Sequence, residues 1–467
     1  MRVQLKDIRS EMPPLLRLAV PLIAGELGWV AMSLVDTVML GHLPHSALAM
    51  SSAALAQVLF NVFCFGVGGT LLGLDTLISQ ALGAKLQTEA NRWLIHGLVL
   101  AIALSALLIV LFQLGPRLLL HLPIEPDILA GAIPALQGLN YGTLPLLLYF
   151  TLRRYLQAAH HGRPIAFALI SANLINAGMD WLLIFGHDWG HRWHIASHTL
   201  AIPAYGVVGS SWATSFARLY LMLVLVIAVF LADRKHQYGL FTVSRKIELQ
   251  HLRRLFLLGA PAGAGIFVEI AIFALVTTLI ATFGQLSLAG HEIALECAST
   301  TFMVPFAISA ATSVRVGHAI GRMKAGLATA ADAAAAGWSG IAAGAATMLV
   351  ASALFLSFPQ HIAHLFTPDP GVIAAAVPLL LIAAGFQFFD GIQINATGAL
   401  RGAGNTTAPF FTQLVCYWVV GMPLGVALGF HEKLGAAGLW WGLLIALTAA
   451  AFVLVHFWHK TSQSLHS

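Results

Sequence analysis

Asp36, Asp180, Glu269 and Asp390 stand in stretches that are otherwise apolar enough to lie in lipid. A charge at the bilayer centre costs about 2.5–3.5 kcal/mol even on the lower scales, so an acid kept there is expected to handle a cation or a proton. Asn173, Asn176 and Asp180 are spaced three and four apart and share one helical face, which suits a hydrogen-bonded polar pocket. Asp36 and Asp180 both fall roughly 8–11 Å below the outer ends of their helices, at about 1.5 Å per residue. Glu269 is the one polar side chain in GIFVEIAIFALV, and Asp390 is followed by Gln393 and Thr397 at i+3 and i+7. A hard cation seeks several oxygens. The expectation is therefore Na⁺ at Glu269 and Asp390, with Gln393 and Thr397 supplying further oxygens, and a proton on Asp36. Proton and cation compete for such groups, because a desolvated carboxyl resists ionisation unless a cation stands beside it. The competing structural reading makes each acid a hydrogen-bond donor that glues helices together.

Other polar positions carry less. Asp75, at the inner end of its helix and near Lys85, is expected to form an interfacial ion pair or a cap. His187, His191, His194 and His198 cluster in HDWGHRWHIASH, but their spacing implies no ligand geometry, and a solvated outer loop is expected, with Trp189 and Trp193 as interface anchors. Cys64, Cys297 and Cys416 form neither a disulfide framework nor a metal spacing. No phosphate-binding glycine loop, HExxH or nucleophile elbow is present, so no catalytic residue is named, and no enzyme activity, cofactor or metal beyond Na⁺ is expected.

The elements that must position these acids are membrane helices. The chain is 58% hydrophobic and 9% charged, against about 25% charged in a soluble domain. Apolar runs recur twelve times, at roughly 14–41, 50–80, 93–115, 131–158, 164–187, 203–232, 255–285, 288–320, 332–357, 373–402, 407–430 and 434–460. Runs this long without strict alternation exclude a barrel and predict an all-α integral membrane protein. The first run is too long for a signal-peptide core and is expected to be retained. Of 24 Lys and Arg, 20 fall in segments that are inner if both termini are cytoplasmic and three in outer ones, which fixes that orientation. The net charge of +5 reflects this placement and implies no nucleic acid.

The chain reads as a duplication. GVVGSSWATSFA at 206–217 aligns with GAAGLWWGLLIA at 435–446, and Pro21, Pro134 and Pro164 align with Pro261, Pro378 and Pro409. Six helices per half make a parallel repeat, with the substrate expected between the lobes. The divisions are an N-terminal lobe over 1–232, a basic cytoplasmic linker over 233–254 and a C-terminal lobe over 255–467. The acids are not duplicated: Val276 falls opposite Asp36, Gly425 opposite Asp180, Trp29 opposite Glu269 and Leu146 opposite Asp390.

PLIAGELGWVAMSLVDTVMLGHL, FVEIAIFALV, VRVGHAIGR and FFDGIQINATGALRGAGNT resemble the corresponding blocks of multidrug and toxic compound extrusion transporters, the NorM-type bacterial branch above all. The resemblance runs over essentially all twelve helices. It implies an antiporter in the bacterial inner membrane that expels hydrophobic, cationic drugs in exchange for Na⁺ or H⁺, acting as a monomer. By it, Asp36 matches the family's N-lobe acid, and Glu269 and Asp390 match the C-lobe acids of the NorM-type branch. Asp180 departs from that branch, where Asn is typical, and resembles the acid pair of DinF-type members. The alternative within transport is a lipid-linked oligosaccharide flippase of the same superfamily. Such a protein would show a strongly cationic cavity, whereas the one intramembrane base away from the inner ends is Arg218.

Overall fold

The structure, a computed structural model, describes residues 5–116, 125–188 and 201–465. Among the described residues, eleven helices are long and apolar enough to cross a membrane. In chain order they are α1 (Leu5–Leu40), α2 (Ser46–Gly83), α3 (Gln87–Leu114), then α5 (Gly162–Phe185), α6 (Gly206–His236), α7 (Leu249–Ala281), α8 (Gln285–Lys324), α9 (Ala330–Ser357), α10 (Pro370–Gly402), α11 (Thr407–His431) and α12 (Ala436–Ser464). Between α3 and α5 lies α4, built of two shorter helices end to end, Pro126–Asn140 and Thr143–Ala158. The run expected at 131–158 is thus one span with a break. Its cause is competition for carbonyls: Ser215 Oγ donates to Gly138 O at 2.7 Å and Arg218 reaches Leu139 O at 3.4 Å. The Gly142 N–H then closes a tighter turn onto Leu139 O at 3.0 Å. Apart from helix, a two-residue antiparallel pair joins β1 (His187–Asp188) to β2 (Ala201–Ile202). His191, His194, His198, Trp189 and Trp193 lie outside the described residues.

The apolar cores follow chain order. One gathers buried side chains of α1–α6, such as Leu22, Phe60, Leu94, Leu147, Leu169 and Leu221, and takes in Leu255, Ile308 and Val314 from α7 and α8. Another joins α7, α8, α10, α11 and α12 through Ile272, Ile293, Leu380, Tyr417 and Trp440. The basic stretch 233–254 is helical only at its two ends, since α6 runs on to His236 and α7 starts at Leu249, which leaves 237–248 as the connection.

Polar contacts between the two halves cluster at one level, where α1 begins and α2, α8 and α10 end. Arg315 pairs with Glu11, Ser339 Oγ donates to Ile8 O at 2.9 Å, His318 Nε2 meets Ala158 O at 2.7 Å, and Gln80 Nε2 donates to Gly402 O at 3.1 Å. Deeper in the span the backbones of α2 and α7 nearly touch. A Cβ at Gly259 would sit 1.7 Å from the Thr70 carbonyl oxygen, so only glycine permits this approach.

Candidate functional site

Between the halves is a cavity of about 440 Å³. Aromatic rings stand in both walls, with Trp29, Phe65 and Phe150 from the first half and Phe273, Phe306 and Phe386 from the second. Faces of such rings attract cations. Glu269 and Asp390 both line it, as does Thr397. Gln413 Nε2, from α11, lies 3.4 Å from Glu269 Oε2. Gln413 stands where regular α11 gives way to π-helical turns over Leu414–Gly421, a local widening that recurs at functional sites. The Tyr417 hydroxyl on that segment is buried without a hydrogen-bond partner, within electrostatic reach of both acids.

Helix α10 arranges one wall. Asp390, Ile394, Thr397 and Arg401 all line the cavity, at spacings of four, three and four that keep one helical face. Eleven residues span about 16 Å, so Asp390 and Arg401 mark two levels of the same cavity. Gln393 is turned off that face. Its amide is fully buried, and neither polar atom has a hydrogen-bond partner. The oxygen set expected around Asp390 is therefore incomplete: Thr397 faces the same space, whereas Gln393 does not.

The lower level is a chain of charges that the sequence did not reveal. Glu26 and Arg153 form a buried ion pair, and both line the cavity. Arg154 lies 3.4 Å from Asp75, and Arg401 lies 3.7 Å from the same carboxylate. Asp75 is wholly buried, so the expected interfacial pair near Lys85 is replaced by a clamp across the two halves. A base ten residues away is visible in sequence; Arg154 and Arg401, brought in by α4 and α10, are not. The cavity lining thus holds three acids and three arginines, with Asp75 behind two of the arginines.

Asp36 and Asp180 form a separate site inside the first half, away from the cavity lining. The Asn176 side-chain amide donates to Asp36 Oδ1 at 2.5 Å and to Asp180 Oδ2 at 2.6 Å, using both its protons. Thr214 Oγ1, from α6, reaches Asp36 Oδ2 at 3.3 Å. Three helices, α1, α5 and α6, so converge on one carboxylate pair. Asn176 and Asp180 are completely buried. Asn173 takes no part in this cluster: its amide donates to Gly28 O at 2.9 Å and Leu169 O at 2.8 Å and ties α5 to α1. Behind the cluster, Arg218 is buried with its guanidinium 4.1 Å from the Phe60 ring centroid.

A sequence signal existed for only some of the missed residues. Glu26 sits in the apolar stretch of α1 as plainly as Asp36 does, and the cost of an intramembrane acid would have marked it. Thr214, Gln413 and Tyr417 are ordinary polar residues in membrane helices and carry no such mark.

Known proteins share this plan. The MatE family model matches residues 21–182 and 261–427. Multidrug resistance protein PmpM of Pseudomonas aeruginosa is 32% identical over 453 residues, covering 96% of this chain and 91% of that protein. Multidrug resistance protein NorM of Vibrio cholerae is 31% identical over 454 residues, covering 96% and 94%. Among solved structures, the eukaryotic MATE transporter AtDTX14 superposes with a TM-score of 0.84 at 20% identity, over 98% of this chain and 99% of that one. An outward-facing multidrug resistance MATE transporter superposes with a TM-score of 0.85 at 16% identity over the whole of both chains. A membrane-spanning helical chain with these matches over nearly its full length belongs to the MatE family, the multidrug and toxic compound extrusion transporters.

Proposed function

We propose that this protein exports hydrophobic organic cations from the cytoplasm across the bacterial inner membrane in exchange for Na⁺ or H⁺, by alternating access of the central cavity. The single observation that carries the reading is the pair Glu269 and Asp390 set among aromatic walls in a cavity between the halves. Aromatic faces hold a flat cation without fixing its shape, and a carboxylate in a dry cavity strongly favours a counter-charge. Substrate and coupling ion then compete for the same acids. The two halves act as lobes about this cavity, as the duplicated sequence suggests, and the protein works as a monomer with both termini cytoplasmic.

The coupling sites divide by their ligands. The C-terminal site offers Glu269, Asp390, Thr397 and, from α11, Gln413 and Tyr417, oxygens enough for Na⁺. Gln393 leaves the first set of ligands. The N-terminal site, Asp36 and Asp180 joined by Asn176, suits a proton, because two carboxylates sharing one amide are most stable with a proton between them. With the polar contacts between halves gathered at the terminal level, the conformation is closed toward the cytoplasm.

The arginines do not favour the flippase alternative, since Arg153, Arg154 and Arg401 each face a carboxylate. The test is ethidium efflux from proteoliposomes under separate Na⁺ and pH gradients, with ²²Na⁺ binding to Glu269→Gln, Asp390→Asn and Asp36→Asn. The expected result is Na⁺ binding lost in the first two and kept in the third. The reverse pattern would overturn the division of labour, and absence of gradient-driven efflux in the parent protein would overturn the function itself.

A further inference from the structure

A second cavity, of about 400 Å³, lies where the ends of α2, α3, α7 and α8 converge. It is clear of the transport cavity and shares no lining residue with it. Its floor is apolar: Leu77, Ala81 and Trp93 are buried there, and Leu86 lies open at 56% exposure. Its charged lining residues are Arg254, Lys324 and Glu89. Arg254 holds its guanidinium 5.7 Å from the Trp93 ring centroid and has no carboxylate partner among the described residues. Lys324 Nζ donates one proton to Gln80 Oε1 at 3.0 Å and has two more to give. Glu89 is already engaged by Arg92 at 3.9 Å and His251 at 3.3 Å. The pocket is therefore concave, apolar below and cationic at the rim, at the level where the membrane spans end.

We propose that this pocket binds an anionic phospholipid, its phosphate between Arg254 and Lys324 and its chains running out over Leu86 and Trp93. A basic pocket between membrane helices at the interface is built for such a headgroup. The apolar floor selects lipid over free phosphate, because a bare anion gains nothing from Leu77, Leu86 and Trp93. The lipid also spans the two halves, since Leu77 and Gln80 belong to α2 while Arg254 and Lys324 belong to α7 and α8. A bound headgroup adds to the Lys324–Gln80 bond and holds this level of the molecule shut.

The experiment measures lipid retention on the purified full chain and is independent of transport. Protein in dodecyl maltoside is titrated with phosphatidylglycerol or phosphatidylcholine, and bound lipid is counted by native mass spectrometry. Phosphatidylglycerol is expected to bind preferentially, with affinity falling about 5-fold in Arg254→Gln or Lys324→Gln and about 30-fold in the double variant, at the usual contribution of a basic side chain near an anionic surface. Arg163→Gln, on another helix end, should leave retention unchanged. If the double variant does not fold, the two single variants and the charge-keeping Arg254→Lys carry the same comparison. Equal retention of both lipids, full retention by the neutralised variants, or complete displacement by inorganic phosphate each overturns the proposal.

Discussion

Removing the carboxylate of Asp75 tests the charge clamp most directly. Asp75→Ala leaves Arg154 and Arg401 with side chains only 10% and 7% exposed and no counter-charge at that position. Opposite unit charges about 4 Å apart attract by about 4 kcal/mol at an effective dielectric near 20. Deleting one partner of a buried pair typically costs about 3–5 kcal/mol, most of it the penalty of stranding the other charge. Two stranded guanidinia place Asp75→Ala at the upper end of that range. The loss should appear first as opening between the halves, because Asp75 belongs to α2 and Arg401 to α10. A bias of about 3 kcal/mol shifts a two-state population by about 150-fold. Spin labels on the C-terminal ends of α2 and α8, read by pulsed electron resonance, should move from a single short distance to a longer one. A control separates charge from volume: Asp75→Leu with Arg154→Met and Arg401→Met removes the whole set and should recover the thermal stability that Asp75→Ala loses. If Asp75→Ala keeps both the parent distance distribution and the parent unfolding midpoint, the clamp does not hold the halves together.

Three further outcomes are expected. Asn176→Ala deprives Asp36 and Asp180 of their shared donor at once, so energised ethidium efflux should fall as far as in Asp36→Asn, and efflux near the parent rate would show that the two acids work separately. Gly259→Ala places a methyl group against the Thr70 carbonyl, a backbone contact that no side-chain rotation relieves; a destabilisation above about 3 kcal/mol or failure to assemble is expected, and a monodisperse, active variant would contradict the packing. His160, in the turn after α4 with its ring 4.6 Å from His318, is held below its ordinary range by burial and then by Arg315 and His161. Because the unfolded chain takes up this proton more readily, the stability tied to neutral His160 is present above about pH 6.5 and declines as pH falls below it. His160→Gln should flatten that decline in unfolding midpoints measured from pH 7.5 to 5.5, and an unchanged slope would exclude His160 as its source.

The residues themselves determine a good deal. Hydropathy and the absence of strict alternation dictate membrane helices, because lipid leaves an exposed backbone no partner. The cost of an intramembrane acid picks out Asp36, Asp180, Glu269 and Asp390 without any neighbour being known. Helical periodicity even shows that Asn176 and Asp180 share a face, since four residues make about one turn. Periodicity ends at the surface of its own helix. That Asn176 also reaches Asp36, 140 positions away, that Gln393 turns from the cavity while Thr397 faces it, and that Asn173 ties down backbone are results of how α1, α5 and α10 rotate against their neighbours. The charges show the limit most sharply. Asp75 has a plausible partner in Lys85 along the chain, yet its carboxylate lies beside Arg154 and Arg401, and Glu26 finds Arg153 at a separation of 127 positions. Ion pairing acts through space over a few ångströms, and only the packed helices decide which charges come that close.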